Sequence, residues 1–103
     1  IFQHDGAPAH NAKSVKSWLV EQSIDLLAPW PGSSPDLNPI ENCWAVLKKN
    51  VAALKPTSQS DLHDKIKRVW CQEITADYCA ALINSMPARL EAVIQAKGGP
   101  TKY

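Results

Sequence analysis

Two acidic side chains stand where acids can do metal chemistry: Asp5, after the apolar run Ile1-Phe2, and Glu41, at the start of a helical pattern. Hard divalent cations such as Mg²⁺ take oxygen ligands and keep several waters. Two such ions about 4 Å apart can clamp the attacking and leaving oxygens of a phosphodiester displacement. That chemistry needs carboxylates brought from separate elements to one point. Each acid also has an ordinary structural reading. An Asp after a strand often closes a turn. A Glu in the third helical position often completes a capping box or meets the helix dipole.

The elements that must position them follow from the residues. Ile1–His4 reads as a short strand, stopped by the turn Asp5-Gly6-Ala7-Pro8. Ala9 to Gln22 reads as a helix with Ala12, Val15, Trp18 and Leu19 on its buried stripe. Ile24–Leu27 is apolar enough for a second, buried strand. Strand, helix, strand in so few residues predicts a βαβ unit with parallel strands and helix-covered faces. Asp5 would then lie beyond the carboxyl end of a strand, where ligands gather in open α/β sheets.

The stretch from Pro29 to Pro39 holds four prolines and a glycine and predicts a rigid loop. It ends in a helix-start signal, with Asn38 as the cap, Pro39 in the first helical position and Glu41 in the third. That helix runs to about Ala53, with Ile40, Trp44, Leu47 and Val51 on one stripe. Ser60 is placed to cap a helix over 61–73, with Leu62, Ile66, Val69 and Trp70 inward. Thr75 can cap another helix to Ser85. A last helix, 87–97, carries Leu90, Val93 and Ile94 and stops at Gly98-Gly99-Pro100; the tail 101–103 reads as frayed.

The 103 residues suit one small domain, and 45% apolar with 20% charged residues is a globular balance. Net charge is +1 and names no partner. Its distribution is uneven: residues 1–43 are locally acidic, whereas 44–70 carry Lys48, Lys49, Lys55, Lys65, Lys67 and Arg68 against Asp61 and Asp64. Such lysines can be a solvated helix face or contact phosphates. Cys43, Cys71 and Cys79 lack metal spacing and imply reduced thiols. No apolar run approaches the ~20 residues of a membrane span. An opening inside a strand, without an initiator Met, points to a fragment of a longer protein.

The words around the two acids are specific. The segment Phe2-Gln3-His4-Asp5-Gly6-Ala7-Pro8-Ala9-His10 resembles the region of the second catalytic aspartate in Tc/mariner-type transposases. The segment from Trp30 to Trp44, with Ser34-Pro35-Asp36-Leu37-Asn38-Pro39-Ile40-Glu41-Asn42 at its centre, resembles the region of their third catalytic acid. The resemblance is strong from Ile1 to about Asn50 and general beyond. It implies part of an α/β, RNase H-like DDE catalytic domain: the last two parallel strands with their covering helices over residues 1–54, then a helical extension over 55–103. It also implies Mg²⁺ or Mn²⁺ held by a complete triad, and cutting and joining of double-stranded DNA, transposon ends and target, in a eukaryotic nucleus by a parent protein that can be dimeric.

Under that resemblance Asp5 and Glu41 are the second and third triad acids, and a glutamate in the third place matches the Tc branch. His10 and Asn38 become supporting residues; Lys48 and Lys49 become candidate phosphate contacts. Trp30 and Trp44 can stack on bases, although core packing suits Trp44, which lies on the Ile40 stripe. Residues 6–40, thirty-five in all, separate the acids, one more than the commonest Tc spacing, with the extra residue between Trp18 and Trp30. The first triad aspartate and the helix-turn-helix modules would lie upstream of Ile1, so this stretch alone is expected to be inactive. Two other readings fit fewer residues: a decayed or domesticated remnant that only binds DNA or protein, and a different RNase H-like nuclease or integrase.

Overall fold

The computed structural model describes residues 1–27 and 29–103. They form two compact units, Ile1–Ser34 and Pro35–Tyr103.

In the first unit the α/β expectation is overturned. No β-strand forms among the described residues; an isolated parallel bridge pairs Phe2 with Leu26. Its two hydrogen bonds, Phe2 N–H to the Asp25 carbonyl (2.7 Å) and Leu27 N–H to the Phe2 carbonyl (2.8 Å), are one rung of a parallel ladder. One rung does not make a sheet. Parallel strands owe their stability to flanking strands and to helices over both faces, whereas Ile1 here is 95% exposed. The two parallel strands of a partial RNase H-like fold are therefore absent, and the described residues are predominantly helical.

Helix α1, Lys13–Glu21, starts later than its sequence pattern suggests. The chain from Asp5 to His10 winds around the Asp5 carboxylate instead, and Asn11 N–H closes on the Ala7 carbonyl at 3.1 Å. Leu19 is buried and Val15 half-buried, but Trp18 is 54% exposed and leaves the expected stripe. The helix ends in a Schellman closure: Ser23 N–H reaches the Val20 carbonyl, and Ile24 N–H reaches that of Leu19. Ser23 takes the left-handed position, φ 53°.

The second unit opens with a 3₁₀ turn, Pro35–Leu37, followed by α2 (Ile40–Ala53), α3 (Gln59–Glu73), α4 (Ala76–Asn84) and α5 (Met86–Gln95). Helices α2 and α3 pack along a seam of Leu47, Val51 and Val69, with Leu54 against it. Each buried side chain there contributes about 1.5–3 kcal/mol relative to exposure. Trp44 is partly exposed at 38% and stacks, tilted, on Trp70 of α3 at 5.8 Å between centroids, so it lies at the rim of this seam and not in its centre.

The caps correct the sequence pattern in two places. Ser58, not Ser60, caps α3: its hydroxyl accepts from Asp61 N–H at 3.0 Å. That register puts Asp61 where its carboxylate can accept from Thr57 N–H (2.8 Å) and pair with Lys65 (2.6 Å). Lys65 first, then Thr57, holds the Asp61 carboxyl below its ordinary range. Lys65 is thereby removed from the pool of free cations. Thr75 caps α4 through Tyr78 N–H as the sequence indicates.

Helix α5 turns inward a face centred on Arg89. Leu90 and Ile94 are exposed, while Arg89, 2% exposed, is buried with Ala92, Val93 and Ala96 half-buried behind it. Lys97, φ 52°, then takes the left-handed closing position ahead of Gly98. The tail is tied down: Thr101 bonds Asp36, and Tyr103 lies over Arg89.

Two stability changes follow, both measurable by guanidinium unfolding. Leu47→Ala should lower stability by about 2–5 kcal/mol. Lys97→Gly should raise it by about 0.5–1 kcal/mol, because glycine carries no penalty in the left-handed position.

Candidate functional site

The Asp5 turn is built from its own side chain. Oδ1 accepts from Ala7 N–H at 3.1 Å, an Asx turn, and meets Nδ1 of His10 at 2.5 Å. The Ala7 hydrogen bond first, then His10, holds the Asp5 carboxyl below the ordinary carboxylate range. The side chain is exposed and ionised at neutral pH. His4 stands next to it, with Nδ1 on the Asp5 carbonyl at 2.6 Å and its ring edge-on to His10 at 5.6 Å. The buried Nε2 atoms of Gln3 and His4 have no hydrogen-bond partner among the described residues. The polar groups leading into Asp5 thus retain unused bonding capacity.

Glu41 lies in the first turn of α2 and is exposed. Asn38 does not cap that helix with its side chain; the N-cap position falls on Pro39, and no side-chain hydrogen bond closes the end. The backbone does the work: Glu41 N–H bonds the Asn38 carbonyl, and Asn42 N–H bonds that of Pro39, both at 3.1 Å. Lys48 and Lys49 project from α2, exposed, with no ion pair among the described residues. The structure thus brings Asp5 and His10 together. Asn38, Glu41, Lys48 and Lys49 belong to the second unit.

Donor chemistry fits a hard divalent cation: both acids offer carboxylate oxygens on exposed side chains. Two carboxylates do not complete such an ion's shell. Among the described residues no group of three or more His, Cys, Asp or Glu side chains is placed to hold a metal.

One participant escaped the sequence reading. Arg89 donates Nε–H to the Ser85 hydroxyl (2.8 Å), Nη1–H to the Asp36 carbonyl (2.9 Å) and Nη2–H to Asn42 Oδ1 (2.8 Å). Asp36 also accepts from the Thr101 hydroxyl at 3.1 Å, which braces the turn before α2. The available signal was the spacing of Arg89 with Ala92, Val93 and Ala96 at i, i+3, i+4 and i+7, a small-residue face that competes with the Leu90 stripe.

The cysteines are free, and burial first, then neighbouring Cys79, pushes the Cys43 thiol upward. Among the described residues no helix is long and apolar enough to cross a membrane.

A segment holding both acid-bearing blocks, residues 1–63, matches the DDE superfamily endonuclease family, and the chain belongs to that family. Its similarity to particular relatives extends over the whole chain. It is 40% identical to the Transposable element Tcb2 transposase of Caenorhabditis briggsae and 37% identical to the Transposable element Tc1 transposase of Caenorhabditis elegans, over 100% of this chain and 37% of each relative. It is 36% identical to the Transposable element Tc3 transposase of Caenorhabditis elegans, over 99% of this chain and 31% of the relative. The Tc/mariner resemblance of the two blocks is borne out, and the chain spans about a third of the length of these curated relatives.

The turn geometry sets a sign for pH. Because the Asp5 carboxyl is lowered on folding, its stabilisation of the turn is complete above the ordinary carboxylate value and is lost as pH falls through the lowered one. His10→Ala should move the Asp5 titration upward toward the ordinary value, with the Ala7 hydrogen bond keeping part of the shift. Carboxyl ¹³C NMR titration reads this directly, and an unmoved midpoint would contradict the arrangement.

Proposed function

We propose that this chain supplies the second and third acids, Asp5 and Glu41, of a DDE transposase that cuts and joins DNA by metal-dependent phosphoryl transfer. The observation that carries the reading is that one family match, over residues 1–63, spans both acids together with their flanking blocks. The ionised, anchored state of Asp5 supports it.

Each residue has a task in this reading. Asp5, its Oδ1 engaged by Ala7 and His10, keeps Oδ2 as the oxygen available to a ligand. His10 orients that carboxylate, as a hydrogen-bonded neighbour does for a metal-binding group. Glu41 offers its carboxylate from the rigid start of α2, and Asn38 supports it through the backbone. Bound Mg²⁺ or Mn²⁺ would supply activation of the attacking oxygen and neutralisation of the leaving one. Lys48 follows Glu41 by two helical turns, and with Lys49 it would neutralise phosphates of the DNA.

Residues 1–54 are assigned to the catalytic part, with 55–103 its helical extension, α3 packing on α2 across that boundary. Two of three acids make an incomplete site, so the chain by itself should not cut. The substrates are double-stranded transposon ends and target DNA, the setting a eukaryotic nucleus, and a dimeric parent would hold two ends at once.

The test is strand cleavage by the full-length protein with Mg²⁺. Asp5→Asn and Glu41→Gln should each lower cleavage by about 10³-fold or more while leaving DNA binding in place. Undiminished cutting by either variant removes that residue from the site. A wild-type protein that binds DNA and never cuts it would favour the remnant reading.

A further inference from the structure

We infer that Arg89 is a positioning residue for Glu41: it ties down the start of α2, which has no side-chain cap, and so fixes the turn from which that carboxylate projects. The inference rests on the reading of Glu41 as a metal ligand.

The first turn of α2 has no side-chain cap, and its N-cap position is a proline, which has no backbone N–H. A helix start of this kind frays unless something outside the helix holds it. Arg89 supplies the hold from 53 and 47 residues away in sequence, gripping the Asp36 carbonyl before the turn and the Asn42 side chain within it. Glu41 lies between the two grips.

The guanidinium is itself fixed. Ser85, one helical turn back, accepts from Nε and donates its own proton to the Leu82 carbonyl at 2.6 Å. The Tyr103 ring covers the guanidinium at 4.6 Å. Thr101 holds the Asp36 carboxylate, so this residue is bound by both backbone and side chain. The acceptors lie in different directions, and only a planar fork reaches them together. A lysine can serve one at a time.

A residue that merely held the fold would, on loss, loosen the whole unit. A positioning residue should loosen the Glu41 turn first. The experiment is amide hydrogen exchange on the intact protein, with Mn²⁺ binding followed by electron paramagnetic resonance. Arg89→Lys and Asn42→Leu should speed exchange at the Glu41 and Asn42 amides tenfold or more while Val69, in the α2–α3 seam, keeps its wild-type rate. Both should raise the Mn²⁺ concentration for half-saturation several-fold. Asn42→Asp, which keeps an acceptor for the guanidinium, should restore wild-type behaviour. Should Arg89→Lys fail to fold, the half-buried Asn42 carries the test.

Unchanged exchange at Glu41 and Asn42 would overturn the proposal, as would acceleration spread equally through α2 and α3. Glu41→Gln separates the two readings. Wild-type Mn²⁺ binding in that variant defeats the ligand role of Glu41, and with it the positioning role, even if the exchange effect is present. Weakened binding in Glu41→Gln with undisturbed exchange in Arg89→Lys defeats the positioning role alone.

Discussion

A guanidinium that is 2% exposed must find partners on every side, because an unsatisfied buried charge costs several kcal/mol. Arg89 meets that demand with no carboxylate in salt-bridge range among the described residues, using a hydroxyl, a backbone carbonyl, an amide oxygen and an aromatic face. Those partners come from the junction of α4 and α5, the 3₁₀ turn, the start of α2 and the chain end. Satisfying one side chain therefore ties four stretches of the second unit together. It also gives structural meaning to the Asp36 and Asn42 of the motif, which are spent on holding the turn while Glu41 stays exposed. The apolar seam of Leu47, Val51 and Val69 binds α2 to α3, but it lies one to three turns further along α2 and leaves the helix start to Arg89.

The first unit solves a similar problem at shorter range. Asp5 bonds to a backbone amide two residues on and to a ring five residues on, and both bonds favour its ionised form. Between this carboxylate and α1 the chain passes through two further turns, closed by Asn11 N–H on the Ala7 carbonyl and Ala12 N–H on the Ala9 carbonyl, before the helix begins at Lys13.

Much of this was legible in the sequence. The two blocks that carry Asp5 and Glu41 identified the family, and of the expected helix stripes Leu47, Val51 and Val69 form the seam of the second unit, whereas Leu62, Ile66 and Trp70 stay more than a third exposed. Thr75 declared its helix. Other features depend on contacts that period and propensity do not encode. The segments around Phe2 and Leu26 have strand-like composition, yet a strand exists only with neighbours to pair with. Ser60 lost the cap to Ser58 because Asp61 can return hydrogen bonds only from the earlier register. On α5 the apolar Leu90 and Ile94 stay exposed while Arg89 is buried against residues far away in sequence. The tail looked frayed because the contacts that tie it to the helices, Thr101 on Asp36 and Tyr103 on Arg89, come from residues distant in sequence.

The proposal stands on Asp5 and Glu41 each being a metal-ligating acid, each held by its own device. Anomalous diffraction at the manganese edge, from crystals of the intact protein soaked in Mn²⁺, addresses it without recourse to activity. Anomalous density is expected at carboxylate oxygens of Asp5 and at those of Glu41, with His10 still on Asp5 and Arg89 still on Asn42. Manganese bound to one acid and not the other, or to neither, would contradict it.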